Sequence, residues 1–235
     1  MIPKVIIGLG TGRCGTWTLH RLLNAQPGVT VAHEGFPLPW QVDVGALWYY
    51  LVQMFVNFKG DYIGNVSFVW INYIGKLMGN LKDPRCICLR RPREEVVESF
   101  CAHAPDENHW TDPDSKHYRP EVDGAANFHS ILFPKYDLPK TEAIVRYWNK
   151  YYSLAEYLAM RYPKNFLLID MHKALNTEDG QREMLTFAGI AADDQAIFLN
   201  KRLNTRHVPQ GGLFPREEDV FTGSQFPKAV EEARP

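Results

Sequence analysis

The chain has 235 residues, 45% of them hydrophobic and 23% charged, which is enough apolar mass for a substantial core in one domain spanning 1–235. Its formal net charge is −1, so no global basic field is on offer to nucleic acid or to an acidic membrane, and any anionic ligand must be gripped by a local cluster of cations. Four cysteines, Cys14, Cys86, Cys88 and Cys101, make neither a disulfide framework nor a C-x-x-C metal pair, and Met1-Ile2-Pro3-Lys4 carries no secretory pattern. The expectation is a protein of the reducing cytoplasm, with no metal and no membrane partner.

Val5-Ile6-Ile7-Gly8-Leu9 is a β-branched run that reads as a strand ending in a glycine-rich turn. Leu19, Leu22 and Leu23 follow at helical spacing until Gln26-Pro27-Gly28 stops the helix, and Val29 to Ala32 reads as a second short strand. From Trp40 onward, Val44, Leu47, Trp48, Leu51, Phe55 and Phe58 recur at steps of three and four, an amphipathic helix too polar to span a bilayer. Arg85 to Leu89 is the next strand, with Cys86 and Cys88 on one buried face. Arg90-Arg91-Pro92 then leads into a helix carrying Val96, Val97 and Phe100, with Pro92 at its first position and Glu94 and Glu95 complementing its positive end.

Residues 104–138 lack periodicity and read as a long loop or lid. A helix through Ile144, Trp148, Tyr151, Ala155 and Leu158 comes next, then a strand from Phe166 to Ile169 ending at Asp170, and an irregular tail after Asn200. Short apolar strands alternating with amphipathic helices predict an α/β fold. The form expected is a P-loop-like three-layer fold with a central parallel sheet flanked by helices.

The sharpest local signal is Gly8-Leu9-Gly10-Thr11-Gly12-Arg13-Cys14-Gly15-Thr16, between a strand and a helix. Glycines let such a turn present successive N–H groups, and the helix end adds positive potential, which together hold phosphate or sulfate. A nucleotide-hydrolysing P-loop requires Lys and a magnesium-binding hydroxyl after its last glycine, but Thr16 and Trp17 stand there. A dinucleotide fingerprint fits Gly10, Gly12 and Gly15, with Glu34 near the expected acidic position, but leaves the Arg90-Arg91 segment unexplained.

Gly12-Arg13-Cys14-Gly15-Thr16 resembles the 5′-phosphosulfate loop of the sulfotransferase superfamily. Leu22-Leu23-Asn24-Ala25-Gln26-Pro27-Gly28-Val29 closely resembles the tyrosylprotein sulfotransferase version, a likeness shared with soluble bacterial-type sulfotransferases. The resemblance implies 3′-phosphoadenosine 5′-phosphosulfate as co-substrate, with no metal. On it, Arg13 contacts the sulfate, and the amides of Thr11, Gly12, Arg13, Cys14, Gly15, Thr16 and Trp17 hold the 5′-phosphate. Trp17 departs from the second Thr that many members carry there.

Leu89-Arg90-Arg91-Pro92 through Ser99-Phe100 resembles the family's 3′-phosphate motif, a strand-ending Arg followed by a helical Ser. Arg offers a rigid, permanently charged fork and Ser a hydroxyl. Arg90 with Ser99 is the preferred pair, and Arg91 stays open because it has the family's spacing to Ser99. Glu34 falls where tyrosylprotein sulfotransferases carry their catalytic Glu, which makes it the expected general base, with His33 as the competing choice.

Lys201, Arg202 and Arg206 either close over the nucleotide or are solvated charges. His103, His109, His117 and His129 lack ligand spacing. Residues 36–83 and the lid carry no recognised motif, so the acceptor is legible only as a small-molecule, glycan or peptide hydroxyl. Their aromatics (Phe36, Trp40, Trp48, Trp110, Tyr118 and Phe128) permit a lipid-like, phenolic or sugar group. A homodimer stays open. Rival readings are a small-molecule kinase of related fold and a non-catalytic nucleotide-binding protein.

Overall fold

Val5, Ile7 and Leu9 are buried in one apolar cluster and Ile6 in another, so the strand they form is covered on both faces. That strand is β1, Lys4–Leu9. The computed structural model describes residues 2–34, 44–103, 136 and 138–199, which belong to one compact unit, Met1–Leu203. After β1 come α1 (Thr16–Asn24), β2 (Val29–His33), α2 (Val44–Asn57) and β3 (Tyr62–Val66), then a 3₁₀ helix (Phe68–Tyr73), α3 (Ile74–Asn80) and β4 (Arg85–Arg90). They are followed by α4 (Arg93–His103), α5 (Lys140–Arg161), β5 (Phe166–Asp170), α6 (Met171–Asn176) and α7 (Glu178–Ala188).

The strands form one sheet in the order β2-β3-β1-β4-β5, every neighbouring pair parallel. The predicted parallel set, β1, β4 and β5, is therefore present, with Ile7 opposite Cys86 and Cys88 opposite Leu168. One face of the sheet is covered by α2, the 3₁₀ helix, α3, α4 and α5, through side chains such as Leu51, Trp70, Ile74, Val96 and Tyr152. The other is covered by α1, α6 and α7 through Leu19, Leu22, Leu175 and Leu185. This is the three-layer, P-loop-like α/β architecture predicted. Cys86 and Cys88 share the first face while Ile87 and Leu89 point to the second, as their alternation implies, and burial pushes both thiols well up.

β3 is absent from the sequence reading, because Gly64 and Asn65 interrupt its apolar pattern. Their reasons are local. A Cβ on Gly64 would collide with the carbonyl oxygen of Ile6, so only glycine lets β3 lie against β1 there. Asn65 is fully buried, and its Oδ1 accepts the Trp70 indole N–H at 3.1 Å, so the polar group is satisfied inside the core. Among described residues the helix expected from Trp40 begins at Val44, and α4 begins at Arg93, one residue after Pro92. Phe36, Trp40, the lid apart from Tyr136 and Leu138, and the tail with Lys201, Arg202 and Arg206 lie outside the described residues. No described helix is long and apolar enough to cross a membrane.

β1 lies between β3 and β4, yet the chain leaving it crosses to β2 at the sheet's edge. The connections therefore diverge at the C-terminal end of β1, where open α/β sheets leave a ligand crevice.

Candidate active site

The segment after β1 is bent by a series of positive-φ residues: Gly10 (157°), Gly12 (77°), Arg13 (55°) and Gly15 (86°). Gly15 caps α1 in the left-handed conformation and has no side chain to bond the first-turn amides. Those amides are thus left to water or an anion at the positive end of the helix. Thr11 is fully buried with its hydroxyl donating to the Gly12 carbonyl at 3.0 Å. Cys14 is also fully buried, and burial pushes its thiol up to about 12. It is no nucleophile at neutral pH. Thr11 and Cys14 can therefore serve an anion only through their backbones.

Arg13 is one of three described non-glycine residues at positive φ, with Glu34 (48°) and Asp83 (54°). Each pays about 1 kcal/mol or more for that conformation, and such strain persists only where neighbours enforce it. At Arg13 the enforcing neighbours are visible. Arg91 donates from Nη1 to the Arg13 carbonyl at 2.8 Å, and Arg13 Nε donates to Ser99 Oγ at 3.2 Å. Arg91 is itself oriented by Glu95, whose Oε2 accepts from its Nε at 2.9 Å, and His172 Nε2 lies 2.9 Å from the other oxygen. These hydrogen bonds, Arg91 first and then His172, hold the Glu95 carboxyl below its ordinary pKa.

Arg90, the last residue of β4, and Arg91, the first residue after it, reach different partners. Arg90 donates to Glu156 Oε1 at 2.7 Å, and its guanidinium stands 5.1 Å from the Trp148 ring centroid and 5.5 Å from that of Tyr152. The structure thus brings Ser99 together with Arg13 and Arg91, while Arg90 leans across α5. The two arginines still share one concavity of about 380 Å³, lined also by Pro92, Arg93, Glu94, Trp148 and Asp170. Asp170 ends β5 and caps α6, accepting from the Lys173 amide at 2.9 Å.

Glu34 directly follows β2, its backbone N–H donating to the carbonyl of Val66, the last residue of β3, at 3.1 Å. It therefore stands at the same end of the sheet as the loop. Part of its surface is open to solvent, but the protein crowding its carboxyl raises the pKa above the ordinary 4.5, opposed by the nearby Arg13 guanidinium. His33, the competing base, lies half-buried with Nε2 3.2 Å from the Thr16 hydroxyl. Burial lowers its pKa to about 4, with His20 adding repulsion. The Trp17 ring packs edge-on to it at 5.0 Å and lies 5.1 Å from His20. His33 is therefore neutral at pH 7 and tied to the loop through Thr16.

The helical spacing of Ile144, Trp148, Tyr151, Ala155 and Leu158 predicts no more than an apolar face for α5. In the fold its aromatic side chains bond both loop segments: Tyr147 and Tyr151 reach Thr11 and Gly10, and Trp148 and Tyr152 reach Arg91 and Leu89. The available signal was chemical. Three tyrosines and a tryptophan at 147, 148, 151 and 152 bring polar atoms that must find partners when buried.

The fold is shared with a solved bacterial sulfotransferase, from Alicyclobacillus acidocaldarius. The two superpose with a TM-score of 0.50 at 17% sequence identity, over 81% of this chain and 82% of that one. No family model and no curated protein matches the sequence.

Proposed function

We propose that the protein is a sulfotransferase that moves the sulfuryl group of 3′-phosphoadenosine 5′-phosphosulfate to an acceptor hydroxyl by in-line transfer, with Glu34 as general base. The observation that carries this reading is the joining of two cationic segments, the loop after β1 and the β4–α4 junction, by the Arg13–Ser99 hydrogen bond, with Glu34 beside them. The sulfotransferase fold supports the same reading.

The residues present fit such a donor. The loop from Thr11 to Trp17 offers the α1 N-terminus and the amides around Gly12 and Gly15 to a 5′-phosphosulfate, and Arg13 adds a fixed positive charge. Ser99 with Arg91, and Arg90 from across the shared concavity, offer a hydroxyl and two guanidinium forks to a 3′-phosphate. The donor supplies an electrophilic sulfur and a phosphate leaving group. Glu34 takes the acceptor's hydroxyl proton as the acceptor oxygen bonds to sulfur and the bond from sulfur to the 5′-phosphate oxygen breaks. Arg13 and the loop amides then face the negative charge left on that oxygen. Crowding that raises the Glu34 pKa makes its carboxylate a stronger proton acceptor than a solvated one. A neutral His33 bonded to Thr16 serves the loop better than it serves the acceptor.

We place the protein in the cytoplasm, acting without a metal on a small-molecule, glycan or peptide hydroxyl. The test is transfer of ³⁵S from the labelled donor to a panel of phenolic, sugar and aliphatic alcohols, read alongside release of adenosine 3′,5′-bisphosphate. Label should reach at least one acceptor, and Glu34→Gln should slow transfer by roughly 10²–10⁴-fold. Phosphate transfer from magnesium-ATP with no sulfuryl transfer would replace this reading with a kinase.

A further inference from the structure

Two loops far apart in sequence must be held at a fixed spacing if one ligand is to bridge them, and one helix touches both. Side chains four apart on a helix share a row, and α5 carries two adjacent rows at its middle. In the first row, Tyr147 donates its hydroxyl to the Thr11 carbonyl at 3.1 Å, and Tyr151 accepts the Gly10 amide at 3.1 Å. In the second, Trp148 donates Nε1 to the Arg91 carbonyl at 3.0 Å, and Tyr152 donates to the Leu89 carbonyl at 2.7 Å. The first row reaches the loop after β1 and the second reaches the end of β4 and Arg91 just beyond it, while Tyr152 also meets the Thr11 side chain. Tyr151 also donates to the Phe68 carbonyl at 3.3 Å, which ties the first loop to the segment just after β3.

These are connections to backbone, not to side chains, so they govern the path of the chain where its φ is least ordinary. Gly10 and Gly12 take positive φ that glycine permits and Arg13 a strained left-handed one, and the amide of Gly10 and the carbonyl of Thr11 fall among them. Tyr147, Tyr151 and Tyr152 are buried, and the rings touch in a chain, 5.9 Å from Tyr147 to Tyr151, 5.4 Å from Tyr151 to Tyr152 and 4.7 Å from Tyr152 to Trp148. A shift of either row therefore meets the other. Burial also keeps the three phenols protonated through the working pH range, so their hydrogen bonds persist.

We propose that Tyr147, Trp148, Tyr151 and Tyr152 are positioning residues that set the separation of the loop after β1 from the β4–α4 junction, and so select a nucleotide carrying phosphates at both its 5′ and 3′ ends. The second half of this statement rests on the proposed sulfotransferase function; the first half does not.

The experiment uses the full chain and removes one hydroxyl at a time, as Tyr147→Phe, Tyr151→Phe and Tyr152→Phe. Tyr157→Phe on the exposed side of the same helix is the control. Amide hydrogen exchange in the free protein reads the loops directly. Tyr147→Phe and Tyr151→Phe should speed exchange in residues 10–17 by about five- to tenfold, and Tyr152→Phe should do so in residues 89–93, while residues 4–9 exchange at the wild-type rate. Uniform acceleration across all segments, or none in either loop, overturns the positioning role. Should Tyr151→Phe fail to fold, Tyr147→Phe and Tyr152→Phe decide the question alone.

The second readout is the affinity for adenosine 3′,5′-bisphosphate divided by that for adenosine 5′-monophosphate. A loss of stability alone leaves this ratio unchanged, whereas mispositioned loops should lower it about threefold or more in Tyr152→Phe. A wild-type protein that does not distinguish the two nucleotides would refute the proposed function, and exchange would still judge the positioning of the loops.

Discussion

Gly15 is where the backbone of the loop and the packing beneath it can be tested with one methyl group. It sits at φ 86°, and a Cβ there would come 2.7 Å from Leu175 Cδ1 and 3.3 Å from Met171 Cγ, both on α6. A left-handed residue with a Cβ costs about 1–2 kcal/mol, and overpacking a buried contact adds roughly 1–3 kcal/mol. Leu175 is itself buried, but its terminal methyl can swing, so the lower half of that second range applies. Gly15→Ala should therefore cost about 2–4 kcal/mol, which for a domain of this size lowers the melting temperature by roughly 5–15 °C.

Gly79 supplies the opposite case. It is exposed in α3 at ordinary helical geometry, and a Cβ there would meet nothing within 4 Å. Gly79→Ala should stabilise by about 0.5–1 kcal/mol. The assay is thermal and urea unfolding of the two variants beside the wild type, with sulfate added to read the anion-binding loop. The variants should move in opposite directions, and Gly15→Ala should lose whatever stabilisation sulfate gives the wild type. A Gly15→Ala protein that melts with the wild type would refute the left-handed cap and the contact to α6.

Four further outcomes follow from the same geometry. Glu34→Gln keeps the side chain's shape and the strained φ while removing the charge, so it should raise stability at pH 7 even as it slows transfer. A carboxyl whose folded pKa is raised contributes its full stability below the ordinary 4.5 and loses it as pH rises through the folded value, so the gain should vanish near pH 4 in urea titrations. His20 and His33 act with the opposite sign: their folded pKa values of about 4 lie below the ordinary 6.5, so the unfolded chain binds protons first. Their contribution is present above pH 6.5 and lost as pH falls toward 4, and His33→Gln should flatten that decline in a pH series of melting curves. Ser99→Ala removes the acceptor of the Arg13 Nε bond and should weaken adenosine 3′,5′-bisphosphate by about tenfold while leaving adenosine 5′-monophosphate nearly unchanged, as calorimetry would show. Gly64→Ala should prevent β3 from closing on β1 and yield little folded protein, measurable by circular dichroism and soluble expression.

The two-faced strands were legible because Val5 to Leu9, Cys86 to Leu89 and Phe166 to Ile169 are apolar on both alternations, which a sheet covered on both sides requires. β3 was not, because its constraints are those of its neighbours: Gly64 answers to the Ile6 carbonyl and Asn65 to Trp70, contacts that no local pattern encodes. The glycine-rich loop was legible for its backbone, and Arg13, Ser99 and Glu34 do gather at one end of the sheet. The division of labour between Arg90 and Arg91 was not. Arg90 ends β4 and reaches Glu156 on α5, whereas Arg91 lies just beyond the strand and reaches the Arg13 carbonyl, and only the packed helices decide which is which. The roles of Tyr147, Tyr151 and Tyr152 were not legible either, since sequence shows that a residue is polar but not which buried backbone group it must satisfy.

On the proposed function, two cationic loops at the end of one sheet recognise a nucleotide phosphorylated at both ends. Titration calorimetry of the wild-type chain with adenosine 3′,5′-bisphosphate, adenosine 5′-monophosphate and magnesium-ATP tests it without knowledge of the acceptor. The bisphosphate should bind at least about tenfold more tightly than the monophosphate, the increment of a charge-assisted hydrogen bond, and magnesium-ATP should gain nothing from its metal. Equal affinity for the bisphosphate and the monophosphate, or binding that appears only with magnesium-ATP, would contradict it.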